Sequence, residues 1–69
     1  MRVRSRQTLI MCLEAQGWSE RGLARAASLG HATINHLVTG RRTSCSAETA
    51  ESIALALNCP IGALFAPDS

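Results

Sequence analysis

Apolar side chains recur along this chain at intervals of three and four residues, in short stretches separated by turn-forming residues. That spacing places the apolar positions of each stretch on one face of a helix. Ala and Leu are frequent, whereas β-branched and aromatic residues are few, which favours helices over strands. The pattern therefore predicts an all-α domain of five short helices, at about 6–16, 20–27, 31–38, 47–57 and 61–65.

The ends of these stretches carry residues that start and stop helices. Ser19 and Ser46 precede the second and fourth stretches, where a hydroxyl can accept from a free backbone amide. Gly17 and Gly40 follow the first and third, where a left-handed backbone conformation is common. Gly22 lies inside the second helix, at a cost of about 1 kcal/mol relative to Ala. Close approach of another backbone would explain that glycine.

The third helix has the clearest division into two faces. At about 100° per residue, Ile34 and Leu37 project to one side and the polar positions to the other. A face that serves only solubility usually carries Glu and Lys. This one is uncharged at neutral pH, has little bulk and offers both donors and acceptors. It is typical of a surface that reads base edges, and its residues are His31, Ala32, Asn35 and His36, with Thr33 on the flank.

The charged residues give a weaker indication that the chain binds a nucleic acid. The chain has 69 residues, enough for one domain, and a net charge of only +2. All seven basic residues are arginine, whose planar fork suits phosphate and guanine, although a GC-rich genome explains the bias equally well. Their positions are more informative, because they cluster at the N-terminus, in the second helix and after the third: Arg2, Arg4, Arg6, Arg21, Arg25, Arg41 and Arg42.

The remaining chemistry argues against an enzyme, a metal protein or a membrane protein. Cys12, Cys45 and Cys59 form no CxxC pair, so neither a zinc site nor a disulfide framework is expected. Three thiols suit the reducing cytoplasm. His31 and His36 are five residues apart, about 140° around a helix, and do not make a metal pair. We find no catalytic or cofactor motif and no segment long enough to span a bilayer.

The stretch Trp18–Gly40, WSERGLARAASLGHATINHLVTG, resembles the helix-turn-helix of the phage Cro and lambda-repressor-like family. The resemblance rests on Leu23-Ala24, on Ile34 and Leu37, and on Gly40 followed by basic residues. A second block, from Glu48-Thr49-Ala50-Glu51 to Leu64-Phe65, is typical of the family's fourth and fifth helices. Together these motifs cover residues 6–65 in register.

The resemblance implies a single DNA-binding domain over residues 1–69, with the helix-turn-helix at about 19–38 in helices two and three. Residues 1–5 and 66–69 are expected to be flexible. The third helix would enter the major groove of an operator duplex and read bases with His31, Ala32, Thr33, Asn35 and His36. Ser19 and the seven arginines would hold the DNA backbone. Asn35 in particular could pair bidentately with adenine.

The implied function is a sequence-specific transcriptional regulator, most simply a Cro-like repressor of phage or prophage origin. No small-molecule ligand or cofactor is implied. Three positions depart from the family pattern. Glu20 stands where the family often has a Gln that contacts the DNA backbone, and its charge would repel phosphate. Ser28 replaces a common turn Gly, and Val38 stands where many relatives have Glu.

One helix-turn-helix covers about half a turn of DNA, so a homodimer on a two-fold-symmetric operator is expected. Leu55 falls on the polar side of the fourth helix, and with Leu64 and Phe65 it forms our candidate dimer interface. The alternative is an HTH-like module whose main partner is a protein, such as an antitoxin. Only four residues follow Phe65, which leaves little room for a toxin-binding segment.

Overall fold

The computed structural model describes residues 1–67, and the two residues that follow lie outside the description. The elements in chain order are β1 (Arg2–Val3), α1 (Arg6–Ala15), α2 (Glu20–Ala26), α3 (His31–Thr39), α4 (Ala47–Leu57), α5 (Ile61–Leu64) and β2 (Phe65–Ala66). Each helix begins and ends within one residue of its predicted bounds. The all-α, lambda-repressor-like fold is therefore confirmed, with a small two-stranded sheet in addition.

All five helices contribute to one apolar core. Its largest fully buried side chains are Leu23, Ile34, Leu37, Ile53, Leu57, Leu64 and Phe65. Ala24 is also buried, on the α2 face that packs toward the core, where a small side chain lets α2 and α3 lie close together. Among residues 1–67 no polar or charged residue is buried, so the core needs no internal hydrogen bonds between side chains.

The predicted helix caps form. The hydroxyls of Ser19 and Ser46 accept from the backbone amides of Gly22 and Thr49, at 2.9 and 3.1 Å. A Cβ atom at Gly22 would lie 3.0 Å from the Ser19 hydroxyl and 3.3 Å from the Trp18 ring. Gly22 is thus explained by the close approach of two side chains. The expected approach of another backbone is wrong.

The two ends of the domain are joined by the sheet. β1 and β2 pair antiparallel, with Arg2 opposite Ala66 and Val3 opposite Phe65. The backbone amide of Val3 also donates to the Thr43 carbonyl at 2.8 Å. Arg2–Val3 and Ala66, which the sequence predicts to be flexible, are paired in this sheet, and the neighbouring Phe65 ring is buried. Residues 68 and 69 lie outside the described part of the chain.

Two turns around the helix-turn-helix require a left-handed backbone. Ser28, in the link between α2 and α3, has φ +57°, a conformation that glycine adopts at less cost. This explains why the family commonly has Gly at this position. Ser28 adopts the same left-handed conformation. Gly40, which ends α3, has φ +83°. Beside it, Arg6 Nη1 donates to the Thr39 carbonyl at 2.8 Å and satisfies the end of that helix.

Replacing Gly40 by Ala should destabilise the domain by about 1–2 kcal/mol, because a Cβ atom is disfavoured at positive φ. It would also lie 2.7 Å from Arg6 Nη1, so the guanidinium would have to move. Urea unfolding at matched protein concentration measures the change. Gly62→Ala is the control, since its Cβ meets nothing within 4 Å, and it should stabilise α5 by up to about 1 kcal/mol. Equal effects of the two substitutions would contradict this account.

Two of the cysteines lie side by side. The Sγ atom of Cys59, just after α4, lies 3.6 Å from Cys12 Sγ in α1, within hydrogen-bonding distance for two thiols. Burial raises the pKa of the Cys12 thiol, and the hydrogen bond and charge of Cys59 raise it further. A raised thiol pKa means less thiolate, which is the nucleophilic form, at neutral pH.

Iodoacetamide should therefore alkylate Cys12 more slowly at pH 7.5 than it alkylates a cysteine in an unstructured peptide. The alkylation rate of Cys12 should also reach its plateau at a higher pH than the rate of the peptide cysteine. Steric shielding alone would lower the rate without moving the pH of that plateau. Cys59→Ala should lower the midpoint of that pH profile, whereas Cys45→Ala should leave it unchanged. Mass spectrometry of Cys12-containing fragments gives the rates. A Cys12 midpoint equal to that of the peptide would refute the assignment.

Candidate nucleic-acid interface

The two faces of α3 are separated as predicted. Ile34 and Leu37 are buried, at 1% and 2% exposure, and hold the helix against the core. His31 and Ala32 are exposed at the start of the helix. The other three predicted reading residues, Thr33, Asn35 and His36, are half-buried but not enclosed. The outward face is therefore accessible to a partner, although the side chains of its second half are less exposed to solvent than those of its first.

An open cleft of about 440 Å³ lies beside this face, between α3 and the loop that leads to α4. Ala32, Thr33 and His36 line one wall. Arg42 and Ser44 of the loop line the other, together with Ser46 and Thr49 at the start of α4. The backbone amide of Arg42 donates to the His36 carbonyl at 3.0 Å, which ties the loop to α3. A cationic side chain and three hydroxyl groups thus stand next to the predicted reading face.

At the opposite edge of the same face, Glu20 approaches α3 from the first turn of α2. Asn35 Nδ2 donates to Glu20 Oε1 at 3.0 Å. His31 Nε2 lies 3.6 Å from the same oxygen, which is within ion-pair distance when the imidazole is protonated. The side chain of Glu20 is 34% exposed, so this carboxylate is partly shielded from water. Two of the five predicted reading residues therefore share one acidic partner.

The predicted phosphate-binding arginines divide into two groups. Arg21, Arg25, Arg41 and Arg42 are exposed on α2 and in the loop after α3, and Arg2 is exposed in β1. Arg4 and Arg6 are exposed as well, but each also makes a contact within the domain. Arg4 Nε donates to the Gly62 carbonyl at 2.7 Å, and Arg6 donates to Thr39. The N-terminal arginines accordingly do not form a free arm, because strand pairing and these two contacts fix them.

The candidate dimer interface needs a correction. Leu64 at the end of α5 and Phe65 at the start of β2 are each only 1% exposed and belong to the core. Leu55 remains, with 81% of its surface exposed. Two grooves border it. One, of about 290 Å³, is mainly apolar and is lined by Glu51, Ala54, Cys59 and Ile61; the other, of about 400 Å³, is lined by Ala26, Ala27, Ser28, Ser52 and Ala56.

The contact between Glu20 and Asn35 is the feature that the sequence did not reveal. From the sequence, Glu20 is evident only as a negative charge near phosphate. No local pattern indicates its hydrogen bond, because Asn35 lies 15 residues further along the chain. Across residues 1–67 there is no group of three or more His, Cys, Asp or Glu side chains that could hold a metal ion. None of the helices in that range combines the length and apolar character that crossing a bilayer requires.

Comparison with known proteins identifies the family. The family model described as helix-turn-helix matches residues 9–64, which include α2, α3 and most of the other helices. A search of curated proteins gives no match to this chain. The matched region contains both the buried α2–α3 packing and the polar outward face of α3. The chain belongs to the helix-turn-helix family, whose members are DNA-binding regulators and generally not enzymes.

Proposed function

We propose that this chain is a sequence-specific transcriptional regulator that binds double-stranded DNA by inserting α3 into the major groove. One observation carries the proposal: Ala32, Thr33 and His36, from the outward face of α3, line the same open cleft as Arg42. A protein that binds duplex DNA needs both kinds of group side by side, because base edges are read by hydrogen-bonding groups and the adjacent phosphates are bound by positive charge. The chain's family supports it independently.

The proposed contacts fall into two kinds. His31, Ala32, Thr33, Asn35 and His36 face base edges, with Ala32 and the Thr33 methyl suited to the methyl group of thymine. Phosphates are held by the exposed arginines of α2 and of the loop after α3, namely Arg21, Arg25, Arg41 and Arg42, and by the hydroxyl of Ser19. Arg2, Arg4 and Arg6 are exposed and remain candidates, although Arg4 and Arg6 each also donate to a backbone carbonyl within the domain.

The finer identity that we propose is a Cro-like repressor of phage or prophage origin. It rests on the resemblance of residues 6–65 to that group. A DNA-binding domain represses most directly by occupying a promoter and excluding the polymerase. Neither a cofactor nor a small-molecule ligand enters this mechanism.

Binding should weaken steeply with salt if each subunit neutralises four to six phosphates. The slope of log affinity against log salt is about 0.9 per phosphate, so affinity should fall about 10²–10³-fold between 50 and 200 mM salt. Arg42→Ala should reduce affinity for all duplexes alike and reduce that slope by about 1. His36→Ala should change the preferred sequence while the slope stays the same. Fluorescence anisotropy on a duplex enriched from a random library, and on an unrelated duplex, measures both effects.

A salt-independent affinity would refute the proposed function. Identical behaviour of the Arg42→Ala and His36→Ala variants would refute the separation into anchoring and reading contacts. The two variants are matched, since both side chains line the same cleft and only one carries a fixed charge.

We also propose that the protein dimerises through the surface around Leu55. A large apolar side chain at 81% exposure, flanked by two grooves, can insert into a copy of itself related by two-fold symmetry. Such a dimer would place two copies of α3 on one operator.

Leu55→Glu should convert the dimer to a monomer without unfolding it, because the residue has little contact with the core. Sedimentation equilibrium of the wild type and the variant tests this directly, with Met11→Glu as the control at the other exposed large apolar side chain, which is 61% exposed. A wild type that stays monomeric at high concentration would exclude a preformed dimer.

The exposed Leu55 surface also favours one alternative, in which the main partner is a different protein, as for an antitoxin. The two functions separate in a gel shift against the DNA upstream of the protein's own gene. A regulator of the proposed kind shifts that DNA by itself. A module of the alternative kind shifts it only when its protein partner is added.

A further inference from the structure

We infer that Glu20 is a positioning residue for DNA reading, which holds the Asn35 amide in the one orientation that matches adenine. This inference rests on the proposed function and adds the base that Asn35 selects and the residue that enforces the selection. It comes from one contact, the 3.0 Å hydrogen bond from Asn35 Nδ2 to Glu20 Oε1.

The orientation of the amide follows from the chemistry of its partner. A carboxylate has only acceptors, so the NH₂ group of Asn35, and not its carbonyl oxygen, must face Glu20. One N–H is then used by Glu20. The second N–H and the carbonyl Oδ1 remain, and they lie side by side on the amide. Hydrogen bonds to a charged acceptor are about twice as strong as neutral ones, which makes this orientation persistent.

A donor next to an acceptor is the complement of one base edge. In the major groove adenine presents the N7 acceptor beside the N6 donor, whereas guanine presents two acceptors, N7 and O6. An amide with Nδ2 fixed by Glu20 can satisfy both adenine groups. Against guanine it would bring Oδ1 toward O6, two acceptors facing each other. Glu20 thus rejects guanine through Asn35 and does so without a base contact of its own.

The position of Glu20 explains why its charge is tolerated at a surface that binds a polyanion. The carboxylate is partly shielded, its Oε1 accepts from Asn35, and His31 stands 3.6 Å away on the same face. Its negative charge lowers affinity for every sequence by repulsion from phosphate. Glu20 thus lowers the affinity of the protein for DNA of any sequence and raises the discrimination between adenine and guanine at one base pair.

Glu20→Gln is the discriminating substitution, because it keeps the shape of the side chain. It removes the negative charge and also the requirement that Asn35 present a donor to this position. A Gln amide can donate as well as accept, so the Asn35 amide is no longer held in one orientation, and its flipped form places a donor toward guanine O6 but no longer matches adenine. At the base pair that Asn35 reads, adenine should be preferred over guanine about tenfold in the wild type and by a clearly smaller factor in the variant. Affinity for unrelated duplexes should rise. Glu14→Gln, an equal change of charge at an exposed site on α1, should leave the base preference unchanged.

The experiment selects bound duplexes from a random 24-base-pair library with four proteins: the wild type, Glu20→Gln, Asn35→Ala and the double variant. The base pair that Asn35 reads is the one whose preference Asn35→Ala abolishes. Anisotropy titrations with adenine or guanine at that base pair then give the ratio of affinities. In the Asn35→Ala background, Glu20→Gln should raise affinity uniformly and change no base preference. Urea unfolding checks that each variant is folded.

The outcomes separate the two proposals. If the wild type enriches no sequence, the proposed function fails. If the wild type enriches a motif but Glu20→Gln enriches the same motif with the same adenine preference, only the inference about Glu20 fails. It fails equally if Asn35→Ala abolishes no preference, or if Glu20→Gln changes base preference in the absence of Asn35.

Discussion

Ile34 and Leu37 are fixed in the core, and the direction in which α3 faces depends on them. Both side chains are nearly inaccessible to solvent, and together they prevent α3 from rotating about its own axis. Everything proposed for the interface depends on that constraint, because a rotation of one residue, about 100°, would replace the polar face by apolar side chains. The small Ala24 on α2 serves the same end, since it lets the two helices of the motif lie close together.

The parts of this structure that the sequence predicted are those with a local signal. Helix α3 could be assigned a face because two buried aliphatic residues contrast with four polar or small ones at helical spacing. The sheet could not be predicted, since strands of two residues at opposite ends of the chain carry no periodicity. The burial of Leu64 and Phe65 could not be predicted for a related reason, since a helix of four residues and a strand of two are too short for their patterns to show which side is buried.

The interface also shows where residue type alone misleads. Asn35 and Glu20 each had an evident role when taken singly, one as a base reader and one as an unfavourable charge. Their hydrogen bond links the two side chains, and neither residue type alone indicates it. Similarly, Arg4 and Arg6 counted toward positive charge, although their guanidinium groups satisfy backbone carbonyls at the ends of α5 and α3. Which charges are available to a partner is decided by tertiary contacts that no local pattern records.

The pairing of β1 with β2 brings the first and last strands to one edge of the domain, where β1 also pairs with the loop after α3 through an isolated bridge between Arg2 and Ser44. The polypeptide therefore forms a nearly closed ring. A short peptide joining the two strands would leave all five helices in place, and a new opening could be made in the exposed turn between α1 and α2. The packing of the five helices consequently does not require that β1 come first along the chain, and β1 itself lies beside the loop that carries Arg41 and Arg42.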